Sequence, residues 1–422
     1  MSAGHPSLIL EFPPELMLEI FKLSMPSVPG RPSPLEAPLL LAQICRQWRE
    51  ICLDSPELWS SVEFYRPSSI PNLASDLVDL WLSRAKSHPL QLSLEDKFMG
   101  HDPVPALLAI TMRWASQWEV AHIKFPIAAS KYLRTTSFPL LRRLAVVINV
   151  SHLEGETITI SNAPLLRSVE VTERNWYNIR WSRISLPWAQ LTELLFYTFA
   201  DVSDAVFALK ECPSLTRLYC RIAYVPGSLP HYEMAGSLSL NHLRALSTPI
   251  QLLPHLALPK LESLHITDPA EARPLVAYVV EGLLARSFCI LKSLQYDMYH
   301  HEGKMGDDLH DLLRVVPTIL RLRINFSRGL AVSRIAEAIS SDSPPLVPDL
   351  RYLYSSLDRG YAWNPAWGPY HDALCNALRW RSAQNALRSF DFQVNALPSQ
   401  ALSALRLVAA ETGLSIRVFA HK

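Results

Sequence analysis

The residues best suited to chemistry in this chain are arginines and tyrosines at alternate positions: Arg217, Tyr219 and Arg221, then Arg321 and Arg323, then Tyr352 and Tyr354. On a strand, alternate residues share one face. Guanidinium groups there offer paired N–H donors to a carboxylate or phosphate, and tyrosine adds contact area with a directional hydroxyl. The same reading adds Arg143, Glu170, Glu193, Tyr197, His265, Gln295, Asp297 and Asp391 to one candidate substrate-binding surface. Its plain alternative is a row of strand positions that are polar only because water faces them. A second cluster, Tyr299-His300-His301-Glu302 followed by Asp307, Asp308 and His310, holds metal-type ligands. Its spacing matches no known site and reads as a solvated loop before an Asp-capped helix, so no metal and no cofactor are expected. The chain has no Gly-x-Ser-x-Gly, no phosphate-cradling glycine loop and no His-Glu-x-x-His, and its 13 glycines leave few places for such loops. A stand-alone enzyme is not expected.

A repeat must position those side chains. The template Pro-x-Leu-x-x-Leu-x-Val, clear at Pro139 to Val146, can be laid along the chain. Its anchor falls at Leu141, Leu166, Leu191, Leu215, Leu243, Leu261, Leu291, Ile319, Leu350 and Leu387. Its second apolar position is Leu144, Val169, Leu194, Leu218, Leu246, Leu264, Leu294, Leu322, Leu353 and Phe390. The anchor separations lie mostly in the twenties and grow toward the C-terminus, which fits leucine-rich repeats with insertions. Helical apolar spacing recurs over Val202 to Lys210, Leu275 to Ala285, Leu309 to Val316, Val332 to Ile339, Asp372 to Arg379 and Ser399 to Ala410. One strand and one helix cannot bury their apolar faces alone, so stacked copies must share a core. The pattern departs from the family at Thr248 and Ser355, which fill a third apolar position, and the expected asparagine appears only at Asn149 and Asn395. Glu154 to Trp188 reads as a strand-rich insertion. Two helix-then-strand units precede the repeat, Leu73 to Leu94 and Val104 to Phe125.

The N-terminal stretch Leu10 to Val62 has a different character. Leu16, Ile20, Phe21 and Leu23 follow Pro13 and Pro14 at helical spacing; Leu40, Leu41, Ile44, Cys45, Trp48 and Ile51 form a second helical pattern that stops at Asp54-Ser55-Pro56. About fifty residues cannot bury so many large apolar side chains internally, so part of this surface is expected to face a partner. Phe12-Pro13-Pro14-Glu15-Leu16, Ile44-Cys45-Arg46-Gln47-Trp48 and Pro56-Glu57-Leu58-Trp59, in that order, resemble the three signature blocks of the F-box, in the version found in a large group of fungal proteins. The similarity continues through Trp81 to Leu94 and covers about the first quarter of the chain. The resemblance implies docking on a Skp-type adaptor and, through it, on a cullin-RING ubiquitin ligase. The residues expected to dock are Phe12, Pro13, Leu16, Ile20, Leu41, Ile44, Trp48, Leu58 and Trp59. For each, the alternative is the internal core of the F-box, and helical spacing does not separate the two.

Composition sets the outer bounds. With 422 residues, 49% of them hydrophobic, two or three domains with a sizeable core are expected. The 40 Lys and Arg against 39 Asp and Glu create no global field for nucleic acid or an anionic membrane surface. Apolar runs are too short to span a bilayer, and no leader-like N-terminus precedes the F-box, so a cytoplasmic or nuclear location is expected. Six scattered cysteines without a C-x-x-C, Cys45 in the F-box helix among them, read as reduced, packed small hydrophobes. Trp363 and Trp367 lie in a turn-rich segment and fit either a cap over the repeats or an exposed anchor. The expected fold is α/β (α+β): a three-helix F-box over 8–62, helix-strand linker repeats over 63–137, and an irregular leucine-rich-repeat solenoid, a horseshoe, over 138–422. The expected function is that of the substrate-recognition subunit of a Skp–cullin–F-box ubiquitin ligase holding an unknown protein substrate, without nucleic acid or membrane. The alternative is an F-box scaffold that never joins a cullin.

Overall fold

The computed structural model describes residues 12–66, 75–96, 106–126, 130–149, 157–160, 162–173, 181–199, 201–222, 237–267, 276–298, 305–326, 330–340, 345–357, 368–384, 386–394 and 399–419. The fold is mixed α/β, its strands are parallel, and the chain divides into two units, Met1–Ala200 and Asp201–Lys422. The division falls inside the stretch where the sequence repeat is continuous.

In the first unit, α1 (Pro14–Ser24) starts at the proline pair, where a missing N–H costs no helical hydrogen bond. It buries Met17 and Phe21, and the Phe21 ring meets Trp48 edge-on at 5.0 Å. The helical pattern through Ile51 predicts one continuous helix. The chain instead breaks it into α2 (Leu41–Ile44) and α3 (Arg46–Asp54), because Cys45 is extended at φ −154° and caps α3, its Sγ accepting from the Trp48 N–H at 3.5 Å. A 3₁₀ turn at Pro56–Trp59 follows. Trp59 is fully buried, its indole N–H donating to the Cys52 carbonyl at 2.7 Å, while the Trp81 indole donates to the Trp59 carbonyl at 3.1 Å. Short helices α4 (Ser75–Arg84), α5 (Ala106–Met112) and α6 (Lys131–Arg134) separate the strands that come next.

Those strands are β1 (Ser61–Arg66), β2 (Leu90–Asp96), β3 (Trp118–Pro126), β4 (Arg143–Asn149), β5 (Ser168–Glu173) and β6 (Glu193–Phe199), paired in chain order. One buried row crosses them in register: Val62, Leu92, Ala121, Leu144, Val169 and Leu194. Among the described residues of Glu154 to Trp188, β5 keeps this register, and the two-residue strands Ile158–Thr159 and Ile184–Ser185 form a separate pair. That stretch therefore holds a full copy of the repeat as well as an addition.

In the second unit, α7 (Val202–Lys210), capped by Asp201, precedes the eight described strands of its main sheet, β7 (Arg217–Ile222), β8 (Ala245–Pro249), β9 (Ser263–Thr267), β10 (Ser293–Met298), β11 (Arg321–Phe326), β12 (Tyr352–Leu357), β13 (Ser389–Gln393) and β14 (Ser415–Phe419), while Leu238–Ser239 and Leu256–Ala257 form a separate two-residue pair. The eight strands too pair in chain order, each with the next. Parallel neighbours require crossovers, supplied in turn by α8 (Val276–Ser287), α9 (Met305–Val315), α10 (Leu330–Ser340), α11 (Gly368–Ala383) and α12 (Ser399–Thr412) from β9 onward. These are the helices expected from apolar spacing, α7 with the same bounds and the others shifted by up to four residues. Leu218, Leu246, Leu264, Leu294, Leu322, Leu353 and Phe390 form the buried row of this sheet, each at most 2% exposed. Thr248 is accommodated inside because its hydroxyl accepts from the buried Cys220 thiol at 3.2 Å. Among the described residues, no helix is long and apolar enough to cross a membrane.

Candidate binding surfaces

The N-terminal helices separate two apolar populations that the sequence left merged. Phe12, Leu16, Ile20 and Ile44 are 44, 55, 38 and 55% exposed, and Pro13 is exposed with them. Leu41, Leu58 and Trp59 are buried, and Trp48 is half-buried with its ring against Phe21. Leu41, Leu58 and Trp59 therefore belong to the core beneath the surface and not to the surface itself. Lys22 ties α1 to the 3₁₀ turn through Glu57 at 3.0 Å and also bonds Glu19 at 2.9 Å. The hydrogen bond from Lys22 lowers the Glu57 carboxyl below its ordinary value, and the same two carboxylates raise Lys22. These residues lie at the surface, so the pair orients more than it stabilises.

The second surface is the polar side of the sheet in Asp201–Lys422. One residue past the buried row, the register lines up Tyr219, Ser247, His265, Gln295, Arg323, Tyr354, Asp391 and Arg417 on consecutive strands β7 to β14. One residue before that buried row, Arg321 pairs with Tyr352 and Tyr352 with Ser389. Two residues past Gln295, Arg323, Tyr354 and Asp391, the residues Asp297, Asn325, Ser356 and Gln393 are in register. Strand pairing brings together side chains that are distant in sequence.

Those side chains form a continuous chain of contacts. Ser247 Oγ lies 2.8 Å from His265 Nδ1, and His265 Nε2 lies 2.9 Å from Asp297 Oδ2. Asn325 Nδ2 donates to Asp297 Oδ1 at 2.6 Å, and Arg323 Nε donates to Asn325 Oδ1 at 3.4 Å. The Arg323 guanidinium stacks 4.1 Å over the Tyr354 ring, whose hydroxyl donates to Gln393 Oε1. Arg321 lies 5.6 Å over Tyr352. Beyond them, Arg417 holds Asp391 with two bonds of 2.9 and 2.6 Å. Asp297 and Asn325 are buried, while Arg321 and Arg323 are exposed. Stacking fixes the guanidinium planes and leaves their edges for planar anions.

Of the candidates read from sequence, Arg217, Tyr219, Arg221, His265, Arg321, Arg323, Tyr352 and Tyr354 all lie on strands of this sheet. The arginines do not form one cluster. Arg217 and Arg221 stand on β7 and Arg321 and Arg323 on β11, with β8, β9 and β10 between; four interstrand steps are about 19 Å. Arg221 Nε donates to the Tyr219 hydroxyl at 2.9 Å, which ties the second arginine of the first pair to the phenol beside it on the same strand. Tyr197 and Glu193 lie on β6 of the other unit, half-buried, on the sheet that also carries Arg143 and Glu170. Sequence reasoning missed Ser247, Asn325, Gln393 and Arg417. Ser247 and Arg417 occupy the same template position as His265 and Arg323, and aligning the copies at that position would have found them.

The described cysteines are free thiols, and burial pushes Cys52 and Cys375 up to about 11 and Cys212 and Cys220 up to about 12. Thiols so held are packed hydrophobes and not nucleophiles. The histidine-rich run Tyr299 to Glu302 and the tryptophans Trp363 and Trp367 lie outside the described residues; among those described, no three His, Cys, Asp or Glu side chains converge as a metal site. Compared with known protein families and with curated proteins, the chain matches none of either.

Proposed function

We propose that this chain is a receptor subunit of a Skp–cullin–F-box ubiquitin ligase, working in the cytoplasm or nucleus and supplying none of the chemistry of ubiquitin transfer. In this reading residues 8–62 are a three-helix F-box, and the strands and helices that follow form a leucine-rich-repeat solenoid. The observation that carries it is the exposed apolar set Phe12, Leu16, Ile20 and Ile44, supported from below by buried Met17, Phe21, Leu58 and Trp59. A partner that covers this set removes apolar surface from water, which is the main source of association free energy. Pro13 and the half-buried Trp48 flank it, and Leu41 holds the second helix in place.

The repeat sheet would hold the substrate. Its two arginine-bearing strands, about 19 Å apart, fit an extended acidic or phosphorylated segment of roughly six residues that reaches from one to the other. The contribution to ubiquitin transfer is proximity: tethering raises the local concentration of substrate lysines near the charged ubiquitin-conjugating enzyme, which performs the chemistry.

Co-purification of the tagged full chain tests this. Recovery of a Skp-type adaptor together with a cullin, lost in a Leu16→Glu/Ile20→Glu variant, is the expected result. Adaptor without cullin favours a cullin-independent scaffold, and recovery of neither defeats both readings.

A further inference from the structure

The contact between Ser247, His265 and Asp297 plays no part in the receptor reading, yet it has the order of groups that nucleophilic acyl transfer needs. A carboxylate only accepts hydrogen bonds, so the Asp297 contact fixes the imidazole proton on Nε2. Nδ1 then carries the lone pair, and the Ser247 hydroxyl, 2.8 Å away, can only donate to it. The serine proton is thus already aimed at a base, and the base is held in one tautomer by a carboxylate. Asp297 is itself held: Asn325 donates to its other oxygen at 2.6 Å, and Asp297 is only 8% exposed. The three groups sit on the consecutive strands β8, β9 and β10, which cannot shift independently without breaking the ladder.

Acyl transfer also needs a donor for the developing oxyanion. Backbone N–H groups in a sheet interior are committed to strand pairing, so a side chain must supply it. On the side of Ser247 opposite His265, the register partner is Tyr219, and the Tyr219 hydroxyl accepts from Arg221 Nε at 2.9 Å. A guanidinium-polarised phenol on the strand that pairs with the nucleophile's own is a group of the type this step needs. His265 and Ser247 are each partly exposed, so an ester could reach them from solvent.

We propose that Ser247, His265 and Tyr219 with Arg221 form a catalytic site for hydrolysis of a carboxylic ester, with Asp297 and Asn325 as positioning residues. Ser247 Oγ attacks the ester carbonyl carbon while its proton passes to His265 Nδ1. Tyr219 and Arg221 stabilise the oxyanion. Collapse of the tetrahedral intermediate expels the alcohol, which takes the proton from Nδ1 and leaves an acyl-serine. Water attacks that acyl group, its proton going to Nδ1. The second collapse releases the carboxylic acid and returns the proton to Ser247. No oxidant, metal or cofactor enters the balance.

The inference is independent of the receptor reading, and its test uses the purified full chain with an alkyl fluorophosphonate reporter. Covalent labelling at Ser247, abolished in Ser247→Ala and slowed about 100-fold or more in His265→Ala, is expected. Tyr219→Phe should slow it about 100-fold. Asp297→Asn should slow labelling with partial recovery in Asp297→Glu, a rescue that a purely structural role would not require. An unlabelled wild-type chain, or labelling that survives Ser247→Ala, overturns the proposal, since a merely solvated polar row predicts one or the other.

Discussion

His265 Nε2 stands 2.9 Å from Asp297 Oδ2 although the residues are 32 apart in the chain. The contact exists because β9 and β10 are parallel neighbours and Asp297 lies two residues beyond the register partner of His265, Gln295. Asp297 also accepts from Asn325, so it closes a network across three strands. Asp297→Ala would leave the His265 and Asn325 donors without an acceptor. The expected loss is about 1–3 kcal/mol in the stability of Asp201–Lys422, measured by urea unfolding; no measurable loss would mean the network is decorative.

Buried and exposed apolar residues of the N-terminal helices should behave oppositely on mutation. Trp59→Ala removes a fully buried indole and its bond to the Cys52 carbonyl, and should cost about 3–5 kcal/mol. Leu16→Ala alters an exposed side chain and should stay within about 0.5 kcal/mol. Circular-dichroism melts distinguish them, and similar losses for both would reverse the assignment of core and surface.

The repeat row makes a comparable prediction deeper in the chain. Leu294→Ala, at a position with no solvent exposure on β10, should cost about 2–5 kcal/mol. Arg321→Ala, exposed on the neighbouring strand, should change stability little and instead affect binding.

For binding, Arg321→Glu/Arg323→Glu should weaken capture of an acidic or phosphorylated peptide at least tenfold, and the wild-type affinity should fall with added salt. Fluorescence anisotropy at two ionic strengths measures both. Undiminished binding by the reversed variant would remove the arginine strands from the recognition surface.

The histidine at His122 on β3 supplies a pH test. Burial lowers its pKa below 6.5 and Lys124 adds to the effect, against opposing carboxylates at Glu170, Glu95 and Glu63. The folded state therefore disfavours the proton that the unfolded chain accepts near pH 6.5. Stability from this group is full above that pH and is lost as pH falls from there through the lowered folded value. Thermal melting of Met1–Ala200, followed by hydrogen exchange of β3 amides, should soften over that window, and His122→Gln should flatten the change. Equal softening in both chains would clear His122 of the effect.

What the sequence by itself determined was everything with a local period. Leu144, Val169, Leu194 and the leucines through Phe390 recur in a short template, and alternation along a strand is enough to send them to one face; all are buried, and within each unit they are in register. The six helices of the second unit were legible for the same reason, from spacings of three and four. Tertiary structure decided what no local period encodes. Helical spacing made one apolar stripe of α1, but tertiary packing, which sets Phe21 against Trp48 of α3, buried Met17 and Phe21 and left Leu16 and Ile20 outside. Strand order placed the two arginine pairs on strands four apart, and it joined Ser247, His265 and Asp297, three residues with no motif between them. Such contacts depend on register between strands, which is set by the stacking of whole repeats and not by the residues that meet.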